Sequence, residues 1–247
     1  MSVEPVSLYA AGSLKPALTG VASAFETASA NKVWAKYGPS GLLRQEIADG
    51  AAVHVFASAN MEHPQSLRDA GKSGPVTMFA RNTLCALVRP GLTVGAGSLL
   101  TAMLDPQIKL GTSTPKADPS GDYAFEVFAR AERLRPGARA ALEAKAIKLT
   151  GAADSIKPPD GQVVYGWHVA EGRADIFLTY STNAMDARQQ HPGQQIVALP
   201  DAIAVSADYG LTVINGAPVA AQDFAAFVMS AGGQAILARH GFAPPAR

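Results

Sequence analysis

The chain has 247 residues, 48% of them hydrophobic and 17% charged, and it can fill one large core or the cores of two lobes. Its formal net charge of +1 and its singly scattered Lys and Arg residues exclude the basic stripe that nucleic-acid binding needs. The one cysteine, Cys85, excludes an internal disulfide and a cysteine-rich metal site, and its apolar neighbours predict a buried thiol. No apolar run reaches the roughly 18 residues of a membrane span, so we expect no insertion into a membrane.

The N-terminal part of the chain alternates strand-like runs with amphipathic helical patterns. The alternation predicts strands at 6–10, 33–37 and 53–57, and helices at 14–27, 41–49 and 61–69. Three β-α units in succession imply a mainly parallel sheet. Ligand sites in such sheets lie at the carboxyl ends of the strands.

The remainder of the chain repeats this pattern. Further strands are predicted at 84–88, 108–111, 174–179, 195–199 and 204–214. Further helices are predicted at 123–134, 138–146, 163–171, 221–229 and 233–240. The alternation of strands and helices over the whole length indicates an α/β fold.

Three of the strand-to-helix junctions place a serine where the helix begins. These serines are Ser13, Ser40 and Ser120, and small residues surround each of them. A serine there can cap the helix, and its hydroxyl lies beside backbone N–H groups that have no partner within the helix. Such groups and the positive end of the helix dipole can bind an anion without Arg or Lys. From the residues alone, the junctions indicate a possible anion-binding cleft.

Seven segments, in order along nearly the whole chain, carry a resemblance to a known family. They are 8–14 (LYAAGSL), 38–42 (GPSGL), 54–60 (HVFASAN), 79–84 (FARNTL), 119–124 (PSGDYA), 179–184 (TYSTNA), and 233–237 with 241–242 (GQAIL and GF). Together they resemble the periplasmic molybdate-binding proteins of ABC importers, which have the type II solute-binding fold.

The resemblance implies a two-lobed periplasmic-binding-protein-like α/β fold, with mixed, mostly parallel sheets and flanking helices. Lobe one would contain residues 1–82 and 198–247, lobe two would contain 83–197, and the ligand cleft would lie between them. The implied function is high-affinity binding of molybdate or tungstate for delivery to the membrane permease of an ABC importer. The implied protein is a monomer, is not an enzyme and needs no cofactor.

The anion contacts of the family transfer to five positions of this sequence by matching motif. Ser13 and Ser40 would each provide a hydroxyl and a backbone N–H, and Ser120 would provide a backbone N–H where the family usually has alanine. Tyr180 matches a tyrosine whose phenol donates to an anion oxygen, and Val163 is the expected source of a further backbone donor. No metal site is expected beyond the metal of the oxyanion itself.

Other positions also depart from the family pattern. Gly12 replaces alanine or threonine, Pro39 replaces a serine and removes an N–H donor, and Asp122 replaces an apolar residue. A carboxylate in the cleft would favour phosphate, which keeps a proton near neutral pH, over fully ionised molybdate or sulfate. The first turn of a helix favours acidic residues, so we expect Asp122 to be a solvated residue of the helix start.

Other functions and the cellular location stay open at this point. The alternatives are a binding protein for sulfate, phosphate or a small organic acid, and the ligand-sensing module of a regulator with the same fold. An enzyme is disfavoured because no serine is paired with a histidine and an acid in a recognisable order. The first five residues contain no secretory leader, which reads as cytoplasmic but equally fits a chain whose leader has been removed. With the resemblance, we expect a periplasmic protein.

Overall fold

The computed structural model describes residues 4–245, which divide into two compact units. Unit one combines the segment that ends at Asn82 with the segment that begins at Asp208, and unit two is Thr83–Ala207. Two strands, β4 (Thr77–Val88) and β9 (Ser206–Val213), carry the chain from one unit into the other.

Residues 198–207 cluster with unit two, whereas the sequence analysis placed them in lobe one. The reason lies in their hydrogen bonds. Ala198 pairs with Cys85 of β4, the N–H of Leu84 donates to the carbonyl of Val205 at 3.1 Å, and the guanidinium of Arg130 binds the carbonyl of Ala204. These contacts hold the segment on unit two until the chain reaches Asp208.

Unit one is built on a sheet with the strand order β2–β1–β3–β9. Strands β1 (Val6–Ala11), β2 (Val33–Gly38) and β3 (Val55–Ser58) are parallel, and β9 is antiparallel to β3. The helices of this unit are α1 (Lys15–Ser29), α2 (Ser40–Ala48), α3 (Glu62–Asp69), α9 (Val219–Met229) and α10 (Ala231–Arg239), with a 3-10 turn at Gly12–Leu14.

The apolar face of α1 packs against the C-terminal helices of the chain. Phe25 of α1 lies with its ring centroid 5.3 Å from that of Phe224 and 5.6 Å from that of Phe227, both on α9. Leu18 and Val21 on the same face are fully buried. This is the helical spacing that the sequence predicted for the face.

Unit two is built on a second sheet with the strand order β4–β7–β5–β6, and β8 also pairs with β4. Strand β5 (Leu110–Ser113) is parallel to both β6 (Ile147–Thr150) and β7 (Ile176–Tyr180), while β4 is antiparallel to β7 and to β8 (Gln195–Ala198). The helices are α4 (Leu99–Leu104), α5 (Pro119–Ala131), α6 (Ala138–Lys145), α7 (Val164–Ala170) and α8 (Ser181–Gln190), with 3-10 turns at Ala96–Ser98 and Asp201–Ile203.

The predicted α/β class is confirmed in both units. Cys85 lies in the core of unit two, where burial raises the pKa of its thiol to about 12, as expected for a residue without a chemical role. Within residues 4–245, no helix combines the length and the apolar character that a bilayer crossing requires.

Candidate functional site

In unit one, the candidate serines lie at the carboxyl ends of the parallel strands. Ser13 follows β1 and Ser40 follows β2, and the register pairs the last residues of these two strands with each other. Their exposed fractions are 8% for Ser13 and 1% for Ser40. Because parallel strands share their carboxyl edge, the topology brings both serines to one side of the sheet in unit one.

The hydroxyl of Ser40 has a fixed orientation. Ser40 is the first residue of α2, and its Oγ accepts the backbone N–H of Ala59, just after β3, at 3.1 Å. Among the described residues this is the one hydrogen bond that Ser40 Oγ makes. A hydroxyl that already accepts keeps its own proton for donation, so Ser40 can donate to a ligand oxygen.

Ser13 also hydrogen-bonds to the protein through its hydroxyl. It lies in the 3-10 turn after β1, and its Oγ is 2.9 Å from the phenol oxygen of Tyr209 on β9. Both residues belong to unit one, and the bond is buried. Nothing in the local sequence around Ser13 could have indicated this partner, because the two residues are far apart in the chain.

In unit two, Ser120 lies in the first turn of α5, after strand β5. It is fully buried, and its Oγ has no hydrogen-bond partner among residues 4–245. Tyr180 is the last residue of the neighbouring strand β7 and is 1% exposed. Its ring centroid lies 6.3 Å from that of Tyr123, which is one helical turn after Ser120 on α5.

The start of α5 packs closely against the backbone of the loop after β5. A Cβ atom added at Gly121 would lie 2.6 Å from both Pro115 N and Thr114 C, and 2.7 Å from Ser113 O. Glycine is therefore the residue that permits this approach. The contact fixes the position of Ser120, the preceding residue.

The backbone N–H of Ser120 is occupied by a side chain. Asp118 is the N-cap of α5, and its Oδ1 accepts that N–H at 3.0 Å. Burial raises the pKa of the Asp118 carboxyl to about 6, against the lowering effect of this hydrogen bond from Ser120. The predicted anion donor at Ser120 is thus already bonded, because the protein provides its own acceptor.

The predicted backbone donor at Val163 is also already bonded to a side chain. Val163 is the N-cap of α7, and its N–H donates to Oε1 of Gln190 at 2.8 Å. The amide of Gln190 in turn donates to the carbonyl of Gly161 at 2.8 Å. Anion binding by the Val163 N–H would require this bond to break.

The capping role that the sequence suggested for the serines is wrong. The N-cap residues are Ala11 for the 3-10 turn that contains Ser13, Pro39 for α2 and Asp118 for α5. Each serine lies one or two residues inside its helix or turn, so its hydroxyl is not used in capping.

Asp122 is a residue of the helix start, as expected. Its Oδ1 accepts the backbone N–H of Lys116 at 2.9 Å, and Lys116 has a positive φ of 69° in the loop between β5 and α5. The carboxylate of Asp122 therefore holds this loop.

The chemistry of these side chains fits a ligand that accepts hydrogen bonds. Over residues 4–245 no group of three or more His, Cys, Asp or Glu could hold a metal ion. The candidate residues provide hydroxyl donors instead.

Comparison with known proteins decides the class. The model of the family described as bacterial extracellular solute-binding protein matches residues 6–243. The chain belongs to this family. The buried hydroxyls of this solute-binding protein are therefore candidate ligand contacts.

Two relatives are similar to this solute-binding protein over most of its length. An uncharacterized protein of Pasteurella multocida is 35% identical over 209 residues, covering 84% of this chain and 86% of that one. A molybdate-binding protein, ModA, of Mycobacterium bovis is 26% identical over 260 residues, covering 97% and 85% of the two chains.

Solved structures confirm the periplasmic-binding-protein-like fold. The periplasmic molybdate-binding protein of Azotobacter vinelandii superposes with a TM-score of 0.78 at 20% identity, covering 98% of this chain and 100% of that one. The sulfate-binding protein SubI of Mycobacterium tuberculosis also has a TM-score of 0.78, at 19% identity and 98% and 87% coverage. Proteins named for different anions thus share this fold, and the fold does not select the ligand.

Proposed function

We propose that this solute-binding protein binds a tetrahedral oxyanion, molybdate or tungstate, and delivers it to the permease of an ABC importer from the periplasm. The observation that carries the proposal is the pair of buried serine hydroxyls in unit one, Ser13 and Ser40, at the shared carboxyl edge of parallel strands. The molybdate-binding relative from Mycobacterium bovis supports the choice of ligand.

The proposed contacts are side-chain hydroxyls, given for each unit by itself. In unit one, Ser13 and Ser40 donate their hydroxyl protons. In unit two, Tyr180 is the predicted phenol donor. Ser120 contributes its hydroxyl in place of the backbone N–H, because that N–H is bound to Asp118 while the hydroxyl has no partner within residues 4–245. A contact from Val163 stays a prediction.

Uncharged donors are sufficient for a dianion when they are buried and fixed in orientation. A hydrogen bond to a charged group contributes a net free energy of about 1.5–3 kcal/mol, and a low local dielectric strengthens it. Several such bonds arranged around a tetrahedron recognise shape as well as charge. The larger molybdate and tungstate would be distinguished from sulfate by size.

One observation favours a second ligand class. The carboxyl of Asp118, whose pKa burial raises to about 6, accepts from the same residue whose hydroxyl is unpaired. A negative carboxylate beside the ligand repels a fully ionised anion but accepts a hydrogen bond from a protonated one. Phosphate or a phosphorylated organic acid is therefore the alternative ligand.

Titration calorimetry of the purified protein with molybdate, tungstate, sulfate and phosphate tests the proposal. We expect tight binding of molybdate and tungstate, at one anion per chain, and binding of sulfate weaker by at least an order of magnitude. Phosphate as the tightest ligand would establish the second class. Absence of heat and of any thermal shift with all four anions would refute oxyanion binding.

A further inference from the structure

A chain of buried hydrogen bonds in unit one ends at Ser13. Tyr209 OH lies 2.9 Å from Ser13 Oγ, and Nδ2 of Asn82 donates to Tyr209 OH over 3.4 Å. The exposed fractions are 0% for Tyr209, 4% for Asn82 and 8% for Ser13. The three side chains come from β9, β4 and the turn after β1, so they meet only in the folded protein.

The direction of donation along this chain decides which proton is left for a ligand. The amide nitrogen of Asn82 can only donate, so the phenol oxygen of Tyr209 acts as its acceptor. In the bond between Tyr209 and Ser13 Oγ either hydroxyl can donate, and one of the two directions gives the proton of Tyr209 to Ser13. When Ser13 Oγ accepts it, the proton of Ser13 is left for a ligand oxygen, as the Ala59 N–H leaves the proton of Ser40.

We infer that Tyr209 is a positioning residue for the anion site: its hydroxyl orients Ser13 so that Ser13 donates to the ligand. The inference rests on the proposed function, since it assigns Tyr209 to the same oxyanion site. Tyr209 acts through Ser13, and no contact of its own with the ligand is part of the inference.

The hydroxyl of Tyr209 can be removed without removing its packing. Its ring centroid lies 6.3 Å from that of Phe79 and 5.4 Å from that of Phe242, both in edge-to-face geometry. Phenylalanine would keep both ring contacts. An effect of Tyr209→Phe on binding therefore reports on the hydroxyl.

Calorimetric titration with molybdate tests the inference in a double-mutant cycle. We expect Tyr209→Phe to weaken binding about 3- to 10-fold, the loss of one oriented neutral hydrogen bond. In a Ser13→Ala background, Tyr209→Phe should cause no further loss, because the residue that it orients is gone. The matched control is Tyr37→Phe, which removes another tyrosine–hydroxyl bond of unit one, 3.3 Å to Thr19 Oγ1, and should bind like wild type.

Two outcomes overturn the inference: unchanged affinity in Tyr209→Phe, or an equal loss with and without the Ser13 hydroxyl. Ligand-free crystal structures of wild type and Tyr209→Phe separate this result from a failure of the proposed function. If no anion binds wild type, the proposed function fails. A changed Ser13 side-chain rotamer in Tyr209→Phe still supports positioning, and an unchanged rotamer refutes it.

Discussion

The two units present their candidate hydroxyls in different ways. In unit one, Ser40 Oγ accepts a backbone N–H and Ser13 Oγ is bonded to Tyr209, so both are held by the protein. In unit two, Ser120 Oγ is equally buried but has no partner within the described part of the chain. Its backbone N–H is occupied by Asp118.

A buried donor costs the ligand-free protein a different amount of free energy in the two cases. A donor whose oxygen is already bonded is oriented before the ligand arrives and costs the ligand-free protein little. A buried hydroxyl without a partner costs about 1–3 kcal/mol, which a ligand oxygen can offset. The hydroxyls of Ser13 and Ser40 are therefore expected to be oriented before a ligand binds. The hydroxyl of Ser120 is expected to be stabilised more by a bond to a ligand oxygen.

The largest expected effect is the loss of affinity for molybdate when the serine donors of unit one are removed. Ser13→Ala combined with Ser40→Ala removes two donors and should weaken molybdate binding by about 3–6 kcal/mol, a loss of more than about 100-fold. Calorimetry measures the loss, and Ser23→Ala, at an exposed serine on α1, is the control. Wild-type affinity in the double variant would mean that Ser13 and Ser40 do not contact the ligand.

The next largest effect is expected at the close contact between the start of α5 and the loop after β5 in unit two. Gly121→Ala places a Cβ atom 2.6 Å from backbone atoms of the loop after β5, so the helix start must shift. We expect a loss of about 2–4 kcal/mol in the free energy of unfolding, measured by urea denaturation. Gly97→Ala, where a Cβ meets open space in the same unit, should be close to wild type. Equal stability of the two variants would contradict the tight contact.

Ser40→Ala and Ser120→Ala should change the stability of the ligand-free protein in different ways. Ser40→Ala leaves the Ala59 N–H without its acceptor and should destabilise the ligand-free protein by about 1–2 kcal/mol. Ser120→Ala removes an unpaired buried hydroxyl, and the ligand-free protein should be unchanged or about 1 kcal/mol more stable. Thermal denaturation without ligand measures both. Similar destabilisation by both variants would mean that the two units do not differ as described.

The smallest effect concerns the pH dependence of stability. Burial raises the pKa of Asp118 from 3.8 to about 6, so the folded state holds this proton more tightly than the unfolded state. Its contribution to stability is present below about pH 4 and is lost as the pH rises through about 6. The difference corresponds to about 3 kcal/mol, which solvent screening at this partly exposed residue reduces to about 1 kcal/mol.

Asp118→Asn keeps the capping oxygen but cannot titrate, so its stability should vary less between pH 4 and 6 than that of wild type. The measurement is the free energy of unfolding in urea at several pH values. Asp154→Asn, at an exposed position of the same unit, should retain the wild-type profile. A profile of Asp118→Asn that coincides with that of wild type would contradict the raised pKa.

The fold could be predicted wherever apolar spacing follows one period. Helix α1 was expected at 14–27 and is observed at Lys15–Ser29, because its buried face is apolar. Helix α8 (Ser181–Gln190) was missed because it buries Thr182, Asn183 and two alanines in place of large apolar side chains. Strand β6 (Ile147–Thr150) was missed because it lies at the edge of its sheet and none of its residues is fully buried.

The candidate site could be predicted only to the level of positions. The strand-to-helix junctions indicated Ser13, Ser40 and Ser120, since a junction is a local pattern. The partners of these residues are set by tertiary contacts, such as Tyr209 beside Ser13. The Asp118 bond to Ser120 is local, and a DPS sequence at a helix start could have indicated it as an N-cap.

Binding of the anion by Ser13 and Ser40 can be observed in a crystal structure of the protein with molybdate, in which the anomalous signal of molybdenum locates the ligand. We expect one molybdate peak whose oxygen atoms lie about 2.6–3.1 Å from Ser13 Oγ and Ser40 Oγ, with both hydroxyls donating. A peak held by Lys or Arg side chains away from these serines, or no peak at a saturating concentration, would contradict it.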